Sequence, residues 1–204
     1  MAFLSEIEKF FPATVLVAIS IFFTKEVFEF SRRRKERHRK ISAIKNLMTE
    51  EIEKNYWAFS SLFRAFSSVA MDFESLPDAR HRIVILHDGT EHLRTKRFPE
   101  DNFESGMWIP HFHDEQYKKL ILLMAELDAN LFVSVSSAYS DIAELSHYRS
   151  TLISFILKED SSRPDEAMIS FFRILFDRKE GYYKSMNAAY FEVSGKKLES
   201  GRLR

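Results

Sequence analysis

The chain has 204 residues, 30 basic against 30 acidic, and no cysteine. The missing thiols exclude disulfides, thiol catalysis and cysteine-ligated zinc or iron–sulfur sites. Charge is unevenly spread: seven basic residues against one acidic lie between Arg32 and Lys40, and residues 41–204 carry a net −4, so no nucleic-acid partner is expected.

In chain order, the first feature is the run Phe10 to Thr24, which holds no charge and is apolar on every side of a helical wheel. Lys9 and Lys25 flank it and can snorkel toward an interface. The run predicts a membrane-crossing helix, with residues 1–31 as an N-terminal anchor. A secretory signal would carry basic residues before the run, whereas Glu6 and Glu8 stand there. An interfacial helix would show one polar face, and this run shows none.

Residues 32–40 follow as a basic juxtamembrane segment: Arg32, Arg33, Arg34, Lys35, Arg37, Arg39 and Lys40. They are expected to meet anionic lipid headgroups. By the positive-inside rule they place the amino terminus outside and the rest in the cytosol, giving a single-pass protein of the bacterial inner membrane.

A cytoplasmic helical domain is expected over 41–193. Ile44, Met48, Ile52, Tyr56, Phe59, Phe63, Phe66 and Phe73 recur at three- and four-residue steps, which predicts a helix over 41–73 stopped by Pro77. Nothing between Lys25 and Lys45 breaks helix, so anchor and stripe can form one helix from about Ala13 to Phe73. Core packing is the default reading of these phenylalanines.

Residues 74–112 read as a short helix over Asp78 to Asp88 or a short strand over Ile83 to Leu86, then mostly loop. Phe103, Met107 and Trp108 in that loop form the candidate partner face. A second stripe, 114–158, predicts one long helix or two, with Asp128 and Asn130 at the break. A third helix is expected from Pro164 to about Lys179, with Gly181 as its C-terminal cap. A short final helix over Tyr182 to Val193 and a polar tail over 194–204 complete the chain. The resulting fold class is all-α: one transmembrane helix, then an antiparallel bundle in which 41–73 pairs with 114–158.

Motifs that would carry chemistry are scarce. His81, His87, His92, His111 and His113 lie near Asp88, Glu91, Asp114 and Glu115, a donor set that suits a transition metal. The spacing matches no metal signature, so no metal, cofactor or catalytic residue is assigned. A metal-dependent enzyme built on the His81–Glu115 region stays as an alternative. Ile85-Leu86-His87-Asp88 resembles the His-Asp core of HD-type phosphohydrolases. That family needs a further histidine some tens of residues upstream, where only His38 and the too-close His81 stand, and Gly89 follows directly. The five glycines are scattered and build no phosphate loop.

The anchor, the Arg/Lys run, the helix Ile44-Lys45-Asn46-Leu47-Met48-Thr49-Glu50-Glu51-Ile52-Glu53-Lys54-Asn55 and the later Tyr139, Ile142 and Leu145 resemble the layout of many small uncharacterised bacterial membrane proteins. The resemblance implies an accessory component of a defence or mobile-element system and supplies no catalytic residues. The expected function is a membrane-anchored, non-enzymatic scaffold that binds a protein partner or its own copies. An oligomeric, membrane-disrupting effector is the other alternative.

Overall fold

In a computed structural model of the chain, the described residues are 13–76, 78–98, 100, 103–157 and 166–198. Their elements are α1 (Ala13–Ser75), β1 (Arg80–Ile85), β2 (Glu91–Lys96), β3 (Ser105–Trp108), α2 (Glu115–Leu127), α3 (Ala129–Leu157) and α4 (Glu166–Ser194). The chain forms two compact units, Met1–Ala43 and Ile44–Arg204.

In the first unit the expected anchor is overturned. Among the described residues no helix is long and apolar enough to cross a membrane. The uncharged stretch of α1 runs from Ala13 to Thr24, 12 residues, about 18 Å at roughly 1.5 Å per residue. The hydrocarbon core is about 30 Å thick, and Lys25, Glu26 and Glu29 follow within two turns. Phe10, Phe11 and Pro12 lie outside the described residues. The single-pass placement, outside amino terminus and cytoplasmic domain fall with the anchor, because the positive-inside argument needs a spanning segment.

The second unit is not all-α. β1, β2 and β3 form an antiparallel sheet in that order; β1 lies where a short helix over Asp78 to Asp88 or a short strand over Ile83 to Leu86 was expected, and β2 and β3 where mostly loop was expected. Alternation explains it: His81, Leu93 and Thr95 are buried, while Arg80 and Arg82 are exposed and Arg94 and Lys96 half-exposed. A period of two is the mark of a strand with one face on a core. Leu86 to Thr90 close the β1–β2 hairpin, with the Gly89 amide donating to the Leu86 carbonyl at 2.9 Å. Gly89 takes φ +81°, the left-handed position that ends a three-residue hairpin loop. Asp88 accepts from the Thr90 amide at 3.0 Å and its hydroxyl at 2.7 Å. His87 and Asp88 are therefore turn residues.

The helical core joins α1 from Ile44 onward to α3 and α4. Ile52, Leu62, Phe63, Phe66, Leu131, Leu145, Leu175 and Met186 are all buried in it. Core packing is thus the role of Phe59, Phe63 and Phe66. Ring contacts Tyr56–Tyr183, Phe63–Phe176 and Phe66–Phe172 make α4 antiparallel to α1. Phe155–Phe171 and the Arg178–Glu144 ion pair make it antiparallel to α3 as well. α1 and α3 therefore run parallel, correcting the expected antiparallel pair. The sheet and α2 supply the long return that parallel neighbours require.

Residues 114–158 resolve into two helices. Asp128 leaves helical geometry at φ −155°, ψ 100°, and its carboxylate accepts the Leu131 amide at 3.1 Å, capping α3. At the other end α4 continues through Gly181 to Ser194, correcting the expected break. An exposed helical glycine costs about 1 kcal/mol, and burial of Tyr182, Met186, Ala189 and Val193 beyond it outweighs that. The helix ends instead at Gly195, φ +70°, after which Leu198 folds back and its amide donates to Asn187 at 2.9 Å. The expected helix start at Pro164 lies outside the described residues.

Candidate functional site

Three polar constellations sit in the second unit. The first joins α1 to the start of α2. Glu51, buried, accepts the Gln116 and Tyr117 amides at 2.7 and 3.0 Å and the Tyr139 hydroxyl at 2.6 Å. Asn55, one turn on, donates to the His113 carbonyl and accepts its amide, both at 2.7 Å. Burial, then the bond to Glu51, raises the Tyr139 phenol well above its usual range. Tyr117 stacks on Tyr139 at 4.2 Å. Each group is spent on a neighbour, so this constellation holds the fold.

The second joins β2, the segment after β3, and α3. Arg149 is buried and donates from Nε to the Pro110 carbonyl at 2.8 Å, and from Nη2 to Glu91. The same Nη2 lies 3.1 Å from His111 Nε2. Arginine can only donate, so Nε2 accepts and the ring proton sits on Nδ1. Partial desolvation, then the Arg149 guanidinium, lowers the His111 pKa from 6.5, with Glu91 opposing. The trio positions a neutral imidazole at the surface.

The third faces a cleft of about 420 Å³ lined by Arg64, Ser68, Asp72 and Ser75 of α1 together with Arg97 and Met107. Asp72 is 3% exposed and takes Arg97 Nε at 3.1 Å on Oδ1. Its Oδ2 has no partner among the described residues, nor has His81 Nε2. His81 Nδ1 lies 2.9 Å from Thr95 Oγ1. Burial lowers the His81 pKa, with Asp72 opposing and Arg97 assisting.

Comparison with protein-family models, with curated proteins and with solved structures finds no match for this chain.

The expected site residues are thus dispersed. Arg32 to Lys40 are exposed on α1 in the first unit, where Arg33 pairs with Glu29 at 3.3 Å and Lys40 with Glu36 at 3.1 Å. Of the expected partner face, only Phe103 is fully open, at 78% exposure. Met107 lines the cleft, and Trp108 is half-buried against Trp57, ring centroids 4.3 Å apart. The five histidines scatter: His81 inside the sheet, His87 in the hairpin turn, His92 in β2, His111 against Arg149, His113 against Asn55. Among the described residues no three histidine, aspartate or glutamate side chains are grouped as a metal site. Arg149, Glu51 and Asn55 were not singled out from sequence. Their signal there is a polar residue on an apolar stripe.

Proposed function

We propose that the chain is a non-enzymatic interaction protein that docks a helix of another protein along residues 14–30. One observation carries this reading: Ile21, Phe22, Phe23, Val27, Phe28 and Phe30 are each 59–72% exposed. Monomeric surfaces rarely leave so continuous an apolar patch uncovered. Burying one such side chain contributes about 1.5–3 kcal/mol, so a partner helix covering several outweighs the cost of association. Leu16, Ile19, Phe23, Val27 and Phe30 follow three- and four-residue steps, the spacing of a helix–helix seam.

Charge selects the kind of partner. Seven exposed basic residues follow the seam directly, so a second copy in parallel would bring like charges together. A partner whose apolar helix continues into an acidic segment complements both features.

The test is a photocrosslinking residue placed at Phe22 in the full chain, in cells. Discrete adducts to a protein bearing an apolar helix with an acidic flank are expected, and Phe28→Ser should weaken them. Adducts to lipid alone, to a second copy alone, or no adduct would overturn the proposal.

A further inference from the structure

The cleft between α1 and the sheet keeps charged groups that nothing in the fold uses. Arg64, Ser68, Met71, Asp72 and Ser75 fall three and four apart and so share one face of α1. Across from them stand Arg97, just past β2, and Met107 of β3. Serines at 68 and 75 are too small to fill the space as the phenylalanines of the core stripe do. The resulting volume, about 420 Å³, falls within the range of about 300–1,000 Å³ typical of small-molecule sites.

The charged groups that a ligand can reach there are donors. Arg64 is exposed and makes no ion pair among the described residues. Asp72 engages Arg97 through Nε alone, which leaves the Arg97 Nη1 and Nη2 without a partner among the described residues. Asp72 is the only acid among the described lining residues, and its Oδ2 is sealed from solvent. Two guanidiniums against one carboxylate leave a surplus of one positive charge. Beside them Met71, 65% exposed, Met107 and Leu76 supply an apolar wall.

We propose that this cleft binds a small monocarboxylate with an apolar body. A guanidinium can only donate, so the ligand's polar head must accept, and a planar carboxylate matches the guanidinium fork. One negative charge balances the surplus. A phosphate monoester, at about −1.5 to −2, exceeds it. An amine would face two guanidiniums, and a purely apolar ligand would desolvate them without a partner. The thioethers of Met71 and Met107 adapt to an apolar body of varied shape. The site is independent of the helix docking proposed above, which uses residues 14–30.

The test titrates octanoate into the full chain carrying ¹³C-methyl methionine, with signals assigned by Met→Leu replacements. The Met71 and Met107 methyl signals should move together along one saturating curve, while those of the core residues Met48, Met124 and Met186 stay in place. The run 14–30 holds no methionine, so octanoate bound there leaves these signals unmoved. Octanol and octylammonium should bind roughly tenfold more weakly or worse, octyl phosphate more weakly than octanoate, and acetate not at all at the same concentrations. Arg64→Gln should weaken octanoate roughly tenfold, and Ser68→Leu should abolish binding by filling the cleft. Arg64 is exposed and Ser68 half-exposed, and circular dichroism establishes that both variants are folded. Four results would each overturn the proposal: no shift at Met71 and Met107, octanol matching octanoate, unchanged affinity in either variant, or a leucine-terminated peptide binding about tenfold more tightly than octanoate.

Discussion

The Tyr139 hydroxyl donates to the buried Glu51 carboxylate at 2.6 Å, and that carboxylate also holds two backbone amides of α2. Asp114 occupies the N-cap position of α2 but makes no side-chain capping bond, so the cap comes from α1 instead. Two of the amides left over at a helix start are thus satisfied across the core, where the helix dipole favours a negative group. Glu51→Ala is expected to lower stability by about 2–4 kcal/mol in urea unfolding, and Tyr139→Phe by about 1 kcal/mol. The double variant should cost less than the two added together, since both remove one bond.

Asn55 and His113 make a reciprocal pair that needs a carboxamide of this length, because one amide group supplies both donor and acceptor. Asn55→Leu leaves a carbonyl and an N–H without partners, and about 2–4 kcal/mol is the expected loss. Asn55→Asp keeps the acceptor but sets a second buried carboxylate one turn from Glu51, so it should cost at least as much. Hydrogen exchange at the His113 amide should accelerate in both variants, ahead of the amides within α3.

The helical stripes were legible because burial on one side of a helix repeats every three to four residues, as at Ile44, Met48, Ile52, Phe59 and Phe63. Apart from the alternative of a short strand over Ile83 to Leu86, the sheet was not read, although Arg80, Arg82, Arg94 and Lys96 alternate with His81, Ile83, Leu93 and Thr95. Polar residues such as His81 and Thr95 on the buried side disguised the period of two. His87-Asp88 was weighed as part of a catalytic core, with Gly89 counted against it, while the physical meaning of Asp88-Gly89 is a hairpin turn. The apolar run of α1 misled in another way: its sequence shows exposure-averse residues but not what covers them. None of the three polar constellations was visible, because Glu51 and Asn55 meet their partners more than fifty residues away in the chain.

Gly89 gives the hairpin a direct test. A side chain at φ +81° meets the neighbouring carbonyl, and the penalty is about 1–2 kcal/mol. Gly89→Ala should therefore destabilise the protein by about that amount, although nothing lies within 4 Å of the added Cβ. Gly181→Ala, in open space on α4 with helical geometry, should stabilise by roughly 0.5–1 kcal/mol. Opposite signs for one chemical change, read from urea midpoints, distinguish backbone conformation from crowding.

Acid should weaken the fold through His81 and His111. Burial is the main cause of depression in both, and each has a folded pKa below 6.5. Between that folded value and 6.5 the unfolded chain binds more protons than the native one, so stability rises with pH across the window. The contribution is complete above 6.5 and is lost as pH falls toward the folded value. Asp72 faces His81 with Arg97 beyond it, while Glu91, His113 and Arg149 face His111. The histidine part is isolated by His81→Asn, whose amide can still reach the Thr95 hydroxyl, and by His111→Gln. Urea midpoints measured from pH 7.5 to 5 should fall for the parent chain and fall less steeply for each variant. An unchanged slope in both variants would show that the acid sensitivity does not come from these two histidines.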